Sequence, residues 1–251
     1  MTRQPQIHFF GCSFTAGDEL SDATWFPWKF TEPHTAKSYY IKRSTIDFDW
    51  KEYQKENRSR AYPALIENSN QGVKTYNHSE NGKSLRHNIL DLILLVTSGC
   101  EIDMIYFQLP PPGRDMIVSK GYILNAMESH LSDLTKSYIL SKLSLSIPEN
   151  QTIQDSLDLC LLSGFLKSKG IPCYILNLGT ELGYRLDDIK SASQDIFDFE
   201  FLSIEKWFDI IDLEDTVRTH SPPLIGGHLS QSQHQLVADY IANHIKENLV
   251  K

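Results

Sequence analysis

Four short strand-like runs, at 5–10, 73–77, 102–109 and 172–178, punctuate this chain, and the stretches between them can hold helices. Strands that alternate with helices form parallel sheets, because each parallel pair needs a crossover and the crossover helix covers a sheet face. Helix signals occupy 61–70, 84–98, 121–143, 151–168 and 231–247. In the last of these, Leu236, Val237, Tyr240, Ile241 and Ile245 share one helical face. Residues 207–211 are compatible with a further short strand. The pattern predicts an α/β protein with a mainly parallel central sheet of about five strands and helices on both faces. In such sheets ligands bind beyond the carboxyl ends of the strands. Attention therefore falls on the loops that follow those strands and on the segment before the final helix.

Composition narrows the possibilities. The chain has 251 residues, 41% of them hydrophobic, enough for one large domain with a buried core. We read 1–251 as a single domain with an insertion at about 18–60. That insertion carries Trp25, Trp28, Tyr39, Tyr40, Trp50 and Tyr53 without clear periodicity. It reads equally as a lid over a site or as a long loop anchored by aromatics. The formal net charge of -8 argues against a partner held by phosphate contacts, so no nucleic acid is expected. Cys12, Cys100, Cys160 and Cys173 form no Cys-x-x-Cys pair, so neither a metal nor a redox motif is expected. No apolar stretch reaches the roughly 18 residues of a membrane span, and no secretory signal is apparent. The expectation is a soluble cytoplasmic protein without a membrane partner.

Two loops carry candidate chemistry. Residues 6–17 read Ile-His-Phe-Phe-Gly-Cys-Ser-Phe-Thr-Ala-Gly-Asp. An apolar strand runs into Gly11, and Ser13 follows where a helix could begin. Backbone N–H groups at a helix start can meet a developing negative charge, which makes Ser13 a candidate nucleophile. The same pattern also describes an ordinary strand-to-helix cap. Near the other end, Gly226-Gly227-His228-Leu229-Ser230 precedes the last helix. A neutral imidazole at His228 can take a serine proton and return it to a leaving oxygen. His234 falls inside that helix, where a packed core position is the simplest reading.

Taken together, these segments resemble the SGNH (GDSL-like) hydrolase superfamily over nearly the whole chain. Gly11-Cys12-Ser13-Phe14-Thr15-Ala16-Gly17 matches its first block in a Gly-Cys-Ser-Phe-Thr form. Tyr76-Asn77 leading to Asn81-Gly82-Lys83-Ser84, after a helix opening with Tyr62-Pro63, matches the second. The third follows the strand ending Tyr106-Phe107-Gln108-Leu109-Pro110, and the fourth begins at His228. The resemblance implies a three-layer, flavodoxin-like fold. It also implies Ser13 as nucleophile, His228 as base, and the N–H groups of Ser13 and Gly82 as the oxyanion hole. Gln108 could add an amide N–H, while Arg114 and Asn81 are candidate substrate contacts. No cofactor is implied.

Three departures stand out. Cys12 replaces the usual aspartate beside the serine. The third block lacks Gly-x-Asn-Asp. The acid expected two or three residues before the histidine is absent, since Ile225 and Gly226 stand there. Without it the imidazole is less well oriented, unless a carbonyl or an acid from elsewhere, such as Glu214 or Asp215, takes over. The preferred reading is a serine esterase or deacylase acting on O-acyl groups, such as O-acetyl, of a carbohydrate or small polar molecule. An O-acyltransferase is a close variant. A non-catalytic ligand-binding module on the same scaffold is the alternative. A nucleotide or phosphate site lacks any Walker or Gly-x-Gly-x-x-Gly pattern.

Overall fold

The computed structural model describes residues 3–30, 35, 38–39, 42–43, 45–69, 72–110, 115–119, 122–126, 148–178, 207–224 and 228–249. For 30, 115–119, 122–126 and 148–154 only the backbone is described. The strands are β1 (Gln6–Phe10), β2 (Lys74–Asn77), β3 (Met104–Gln108), β4 (Asp115–Ser119), β5 (Tyr122–Ala126), β6 (Cys173–Asn177) and β7 (Asp209–Asp212). The helices are α1 (Ser13–Ala16), α2 (Asp22–Trp25), α3 (Trp50–Arg60), α4 (Tyr62–Ser69), α5 (Leu85–Thr97), α6 (Pro148–Ser168), α7 (Glu214–His220) and α8 (Gln231–Leu249). A single 3₁₀ turn covers Pro27–Phe30.

Five strands form one sheet in the order β2-β1-β3-β6-β7, and every neighbouring pair is parallel. This is the sheet expected from the sequence. The central strands are apolar because both of their faces are covered. All five residues of β3 are buried, as are Ile7 to Phe10 of β1. The edge strands are more polar: Lys74 of β2 and Asp209 and Asp212 of β7 are exposed. Charged edge positions discourage pairing with another chain.

The chain leaves β1 toward β2 on one side and later crosses back over β1 to reach β3. Right-handed crossovers in opposite directions place their helices on opposite sheet faces. Accordingly α4 packs against α8 in one layer, and α5 packs against α6 in the other. The reversal also opens a crevice at the carboxyl end of β1, where α/β sheets bind ligands. Gly11 to Ser13 lie there.

One expectation fails. Residues 121–143 were predicted to be helical, but Tyr122–Ala126 is a strand paired antiparallel with Asp115–Ser119. Ile117, Val118, Tyr122 and Ile123 are β-branched or aromatic and favour strands. The two-residue gap carrying Gly121 is hairpin length. Residues 127–143 lie outside the described residues. Among the described residues, no helix is long and apolar enough to cross a membrane.

Candidate active site

The turn after β1 leads straight into Ser13 and is tightly packed at Gly11. A Cβ on Gly11 would lie 2.5 Å from Thr15 Oγ1 and 2.7 Å from Gln108 Oε1, so the position admits no side chain. The Gly11 N–H donates to Asn88 Oδ1 at 3.2 Å, and the Cys12 N–H to Gln108 Oε1 at 3.4 Å. The Thr15 hydroxyl donates to the same Gln108 oxygen at 2.6 Å and accepts from the Tyr62 hydroxyl at 2.8 Å. Asn77 Nδ2 donates to the Thr15 carbonyl at 2.9 Å. Side chains from β2, β3, α4 and α5 thus hold this one turn. Ser13 opens α1 and is buried, with Oγ 4.0 Å from Cys12 Sγ.

The second block closes in beside it. Gly82 lies in the turn between β2 and α5 with φ 78°, a left-handed conformation that strains any residue with a Cβ. Asn81 occupies the same turn. Lys83 is buried, donates to the His78 carbonyl at 2.8 Å and pairs with Asp91. Ser84 caps α5 by accepting the His87 N–H at 3.2 Å. Asn88 donates to the Ser84 carbonyl at 2.9 Å while accepting from Gly11, so one side chain ties the two turns together. Gln108 is fully buried, and its Nε2 has no partner among the described residues. Arg114 lies outside the described residues.

His228 is set by the start of α8. Ser230 Oγ accepts the Gln233 N–H at 3.4 Å, and Gln233 Oε1 accepts the Ser230 N–H at 2.8 Å. This reciprocal box fixes the helix entry. The His228 carbonyl accepts from the Leu224 N–H at 2.8 Å. The ring packs 5.4 Å from that of Phe14. Its Nδ1 lies 2.8 Å from Glu19 Oε1, and its Nε2 lies 4.0 Å from Asp18 Oδ2. The histidine therefore docks on the segment that begins at Ser13. His234 is buried as expected of a core position, and its Nδ1 accepts the Tyr62 N–H at 3.1 Å. Burial, with nearby His228 adding, pushes its imidazole down to about 3.

Glu19 and Asp18 belong to a buried ionic cluster. Lys29 Nζ reaches Glu19 Oε2 at 2.8 Å and also Asp22. Arg43 pairs with Asp18 Oδ1 at 3.2 Å. The Tyr53 hydroxyl lies 3.0 Å from Asp18 Oδ1 and 2.8 Å from Asp22 Oδ1, and it accepts the Glu19 N–H at 3.2 Å. Tyr39 donates to Asp22. Burial alone would raise the Glu19 carboxyl, but its bonds to His228 and Lys29 outweigh burial and hold it at about 2. Asp18 is lowered too, with burial again opposing and His228 and Arg43 prevailing. Asp22 is raised, because there burial outweighs Lys29 and Tyr39. Glu19 also has φ 70°, left-handed for a residue that is not glycine.

A backbone carbonyl or an acid from elsewhere, such as Glu214 or Asp215, was expected to orient the ring. Glu214 is instead engaged by Asn177 at 3.4 Å and Arg218 at 3.7 Å, and Asp215 is exposed. The carboxylate on the ring comes from the other end of the chain. The signal was present in Gly17-Asp18-Glu19, directly behind the serine motif. Asn88, Thr15 and Lys29 were also missed. Their roles depend on packing that no local pattern displays.

Two hollows accompany this arrangement. A cleft of about 480 Å³ runs from the end of β2 along α5 and is lined by Asn77, His78, Glu80, Lys83, Leu94 and Leu95 among others. It adjoins the Asn81–Gly82 turn. A second hollow of about 260 Å³, lined by Ser163, Pro172, Trp207 and Asp209, lies at the amino end of β6 and β7, away from Ser13.

No family model and no curated protein matches this sequence. Solved structures do match its fold. The psychrotrophic esterase EstA from Pseudoalteromonas sp. aligns over 98% of this chain and 99% of its own, with TM-score 0.53 and 10% identity. TesA aligns over 96% of this chain and 98% of its own, with TM-score 0.50 and 11% identity. The acetyl xylan esterase Est2A from the rumen bacterium Butyrivibrio proteoclasticus aligns over 99% of this chain but 65% of its own, with TM-score 0.50 and 12% identity. At such identities the likeness is one of fold. The chain has the SGNH-hydrolase-like α/β fold that the sequence resemblance implied.

Proposed function

We propose that this protein is a serine ester hydrolase that removes O-acyl groups, the O-acetyl class first among them, from a carbohydrate or small polar molecule. The observation that carries this reading is the docking of His228 onto the Ser13 segment, with its Nδ1 held by a carboxylate. A ring held at Nδ1 offers Nε2 as the base. In the first step Ser13 Oγ attacks the acyl carbon while its proton passes to His228 Nε2. The carbonyl π pair moves onto oxygen, where the N–H groups of Ser13 and Gly82 receive it. Gln108 Nε2, buried and unpartnered among the described residues, suits a third donor. The adduct collapses by breaking the ester C–O bond, and His228 returns the proton to the leaving alcohol. Water then repeats the cycle on the acyl-Ser13, releasing the carboxylic acid.

The esterase names among the fold neighbours agree with the chemistry, and one of them is an acetyl xylan esterase. The binding-module reading draws on the acid missing before His228, on the altered third block, and on Ser13 Oγ contacting Cys12 Sγ at 4.0 Å. A single χ1 rotation redirects a serine hydroxyl, and catalytic hydrogen bonds commonly tighten only with substrate bound. The test is turnover of p-nitrophenyl acetate and a panel of acetylated sugars. Ser13→Ala and His228→Ala should each lose about 10⁴-fold or more in kcat, because such residues act as a unit. Wild-type turnover in both variants would contradict the serine mechanism, and a wild type that turns over none of the panel would favour the binding module.

A further inference from the structure

We infer that Glu19 is the carboxylate that positions His228, in place of the acid missing before it. This inference rests on the ester-hydrolase reading. The residues ahead of His228, Ile225 and Gly226, offer no carboxylate. Glu19 Oε1 lies 2.8 Å from His228 Nδ1, and the Glu19 side chain is wholly buried. Its second oxygen is anchored by Lys29 at 2.8 Å, and Lys29 is itself anchored on Asp22. Its backbone N–H is taken by the Tyr53 hydroxyl at 3.2 Å. Both carboxylate oxygens and the backbone are thus fixed.

A carboxylate on Nδ1 keeps the proton there, so the Nε2 lone pair is ready for the serine hydroxyl, and it steadies the imidazolium that forms. Asp18 does not fit this role. Its Oδ1 is held by Arg43 at 3.2 Å and Tyr53 at 3.0 Å, and its Oδ2 is 4.0 Å from Nε2, beyond hydrogen-bond reach. Glu19 follows Ser13 within the same segment, so nucleophile and acid arrive together, and the histidine docks on that segment at Phe14 and Glu19. Lys29, Asp22, Tyr39 and Tyr53, all from the 18–60 segment, form the seat that holds the acid. On this account the insertion is part of the catalytic apparatus.

The experiment compares Glu19→Gln with wild type on p-nitrophenyl acetate and records proton NMR spectra of both without substrate. In Glu19→Gln, kcat should fall about 10³–10⁴-fold while KM stays within about threefold. Glu214→Gln should keep wild-type turnover. Wild type should show a strongly deshielded Nδ1 proton that vanishes in His228→Ala and in Glu19→Gln. If Glu19→Gln fails to fold with Lys29 stranded, Glu19→Gln/Lys29→Met removes both charges together and should show the same loss of kcat. Activity within about threefold of wild type in the folded variant would overturn the inference. So would a wild-type spectrum lacking the deshielded proton throughout the pH range in which the protein is folded. Because the spectrum needs no substrate, a wild type that cleaves no ester would sink the esterase reading alone. The Glu19–His228 pairing would then stand or fall on the spectrum.

Discussion

Glu19 combines an uncommon backbone with a buried charge. A left-handed φ costs a residue with a Cβ roughly 1–2 kcal/mol, so the contacts of Glu19 must hold it in place. Those contacts also set a pH dependence. In the folded protein the Glu19 carboxyl is held at about 2, well below its ordinary value. A depressed carboxyl stabilises the fold fully above its unfolded pKa of about 4.3, and that stability is lost as pH falls through the folded value. Urea unfolding at stepped pH should therefore show wild-type stability falling between about pH 4.3 and about pH 2. Glu19→Gln/Lys29→Met should fall less over the same window. Equal slopes would mean that Glu19 is not linked to folding in this way. The residue-level reading from sequence singled out Ser13 and His228 because each sits beside a local signal, a strand end or a capped helix. It missed Glu19 because the partner that reveals its role lies 209 residues away.

At the level of elements, β1, β2, β3 and β6 were legible because short apolar runs with flanking breakers mark buried parallel strands. Helix α8 was legible from its periodic apolar face, and its start from Ser230. The β4–β5 ribbon was not, since helical and strand signals compete in 115–126 and pairing decides between them. The capping box of α8 has a consequence for the site. Gln233 Nε2 donates to the Val217 carbonyl at 2.9 Å and the Ser221 carbonyl at 2.7 Å, while its oxygen takes the Ser230 N–H. Ser230→Ala should cost about 1 kcal/mol through the lost cap. Gln233→Ala should cost more, about 1–3 kcal/mol, because buried polar groups lose their partners. Both should lower kcat by loosening His228. Thermal melts and steady-state kinetics check this, and a destabilised Gln233→Ala with unchanged kcat would show that the box does not position the histidine.

For the molecule as a whole, the fold was readable because alternating strands and helices admit few topologies. The sheet brings the loops after β1, β2 and β3 to one edge, and β1 occupies the crevice where the chain reverses direction. The 18–60 segment was open between lid and decorated loop. Its described part carries Glu19, Lys29, Tyr39, Arg43 and Tyr53 into one buried cluster at His228. Paired buried charges and the packing of Trp25, Phe26, Phe48, Trp50 and Tyr53 seat that segment together, and no local motif displays either. Buried charges persist only when paired. The central claim is that Ser13 forms a covalent acyl intermediate. It is tested most directly by treating the protein with an aryl phosphonate and locating the adduct by peptide mass spectrometry. The account predicts one adduct, on Ser13, formed together with loss of esterase activity and absent in Ser13→Ala. A protein that keeps full esterase activity after treatment, or as Ser13→Ala, with no label on the Ser13 peptide, would contradict it.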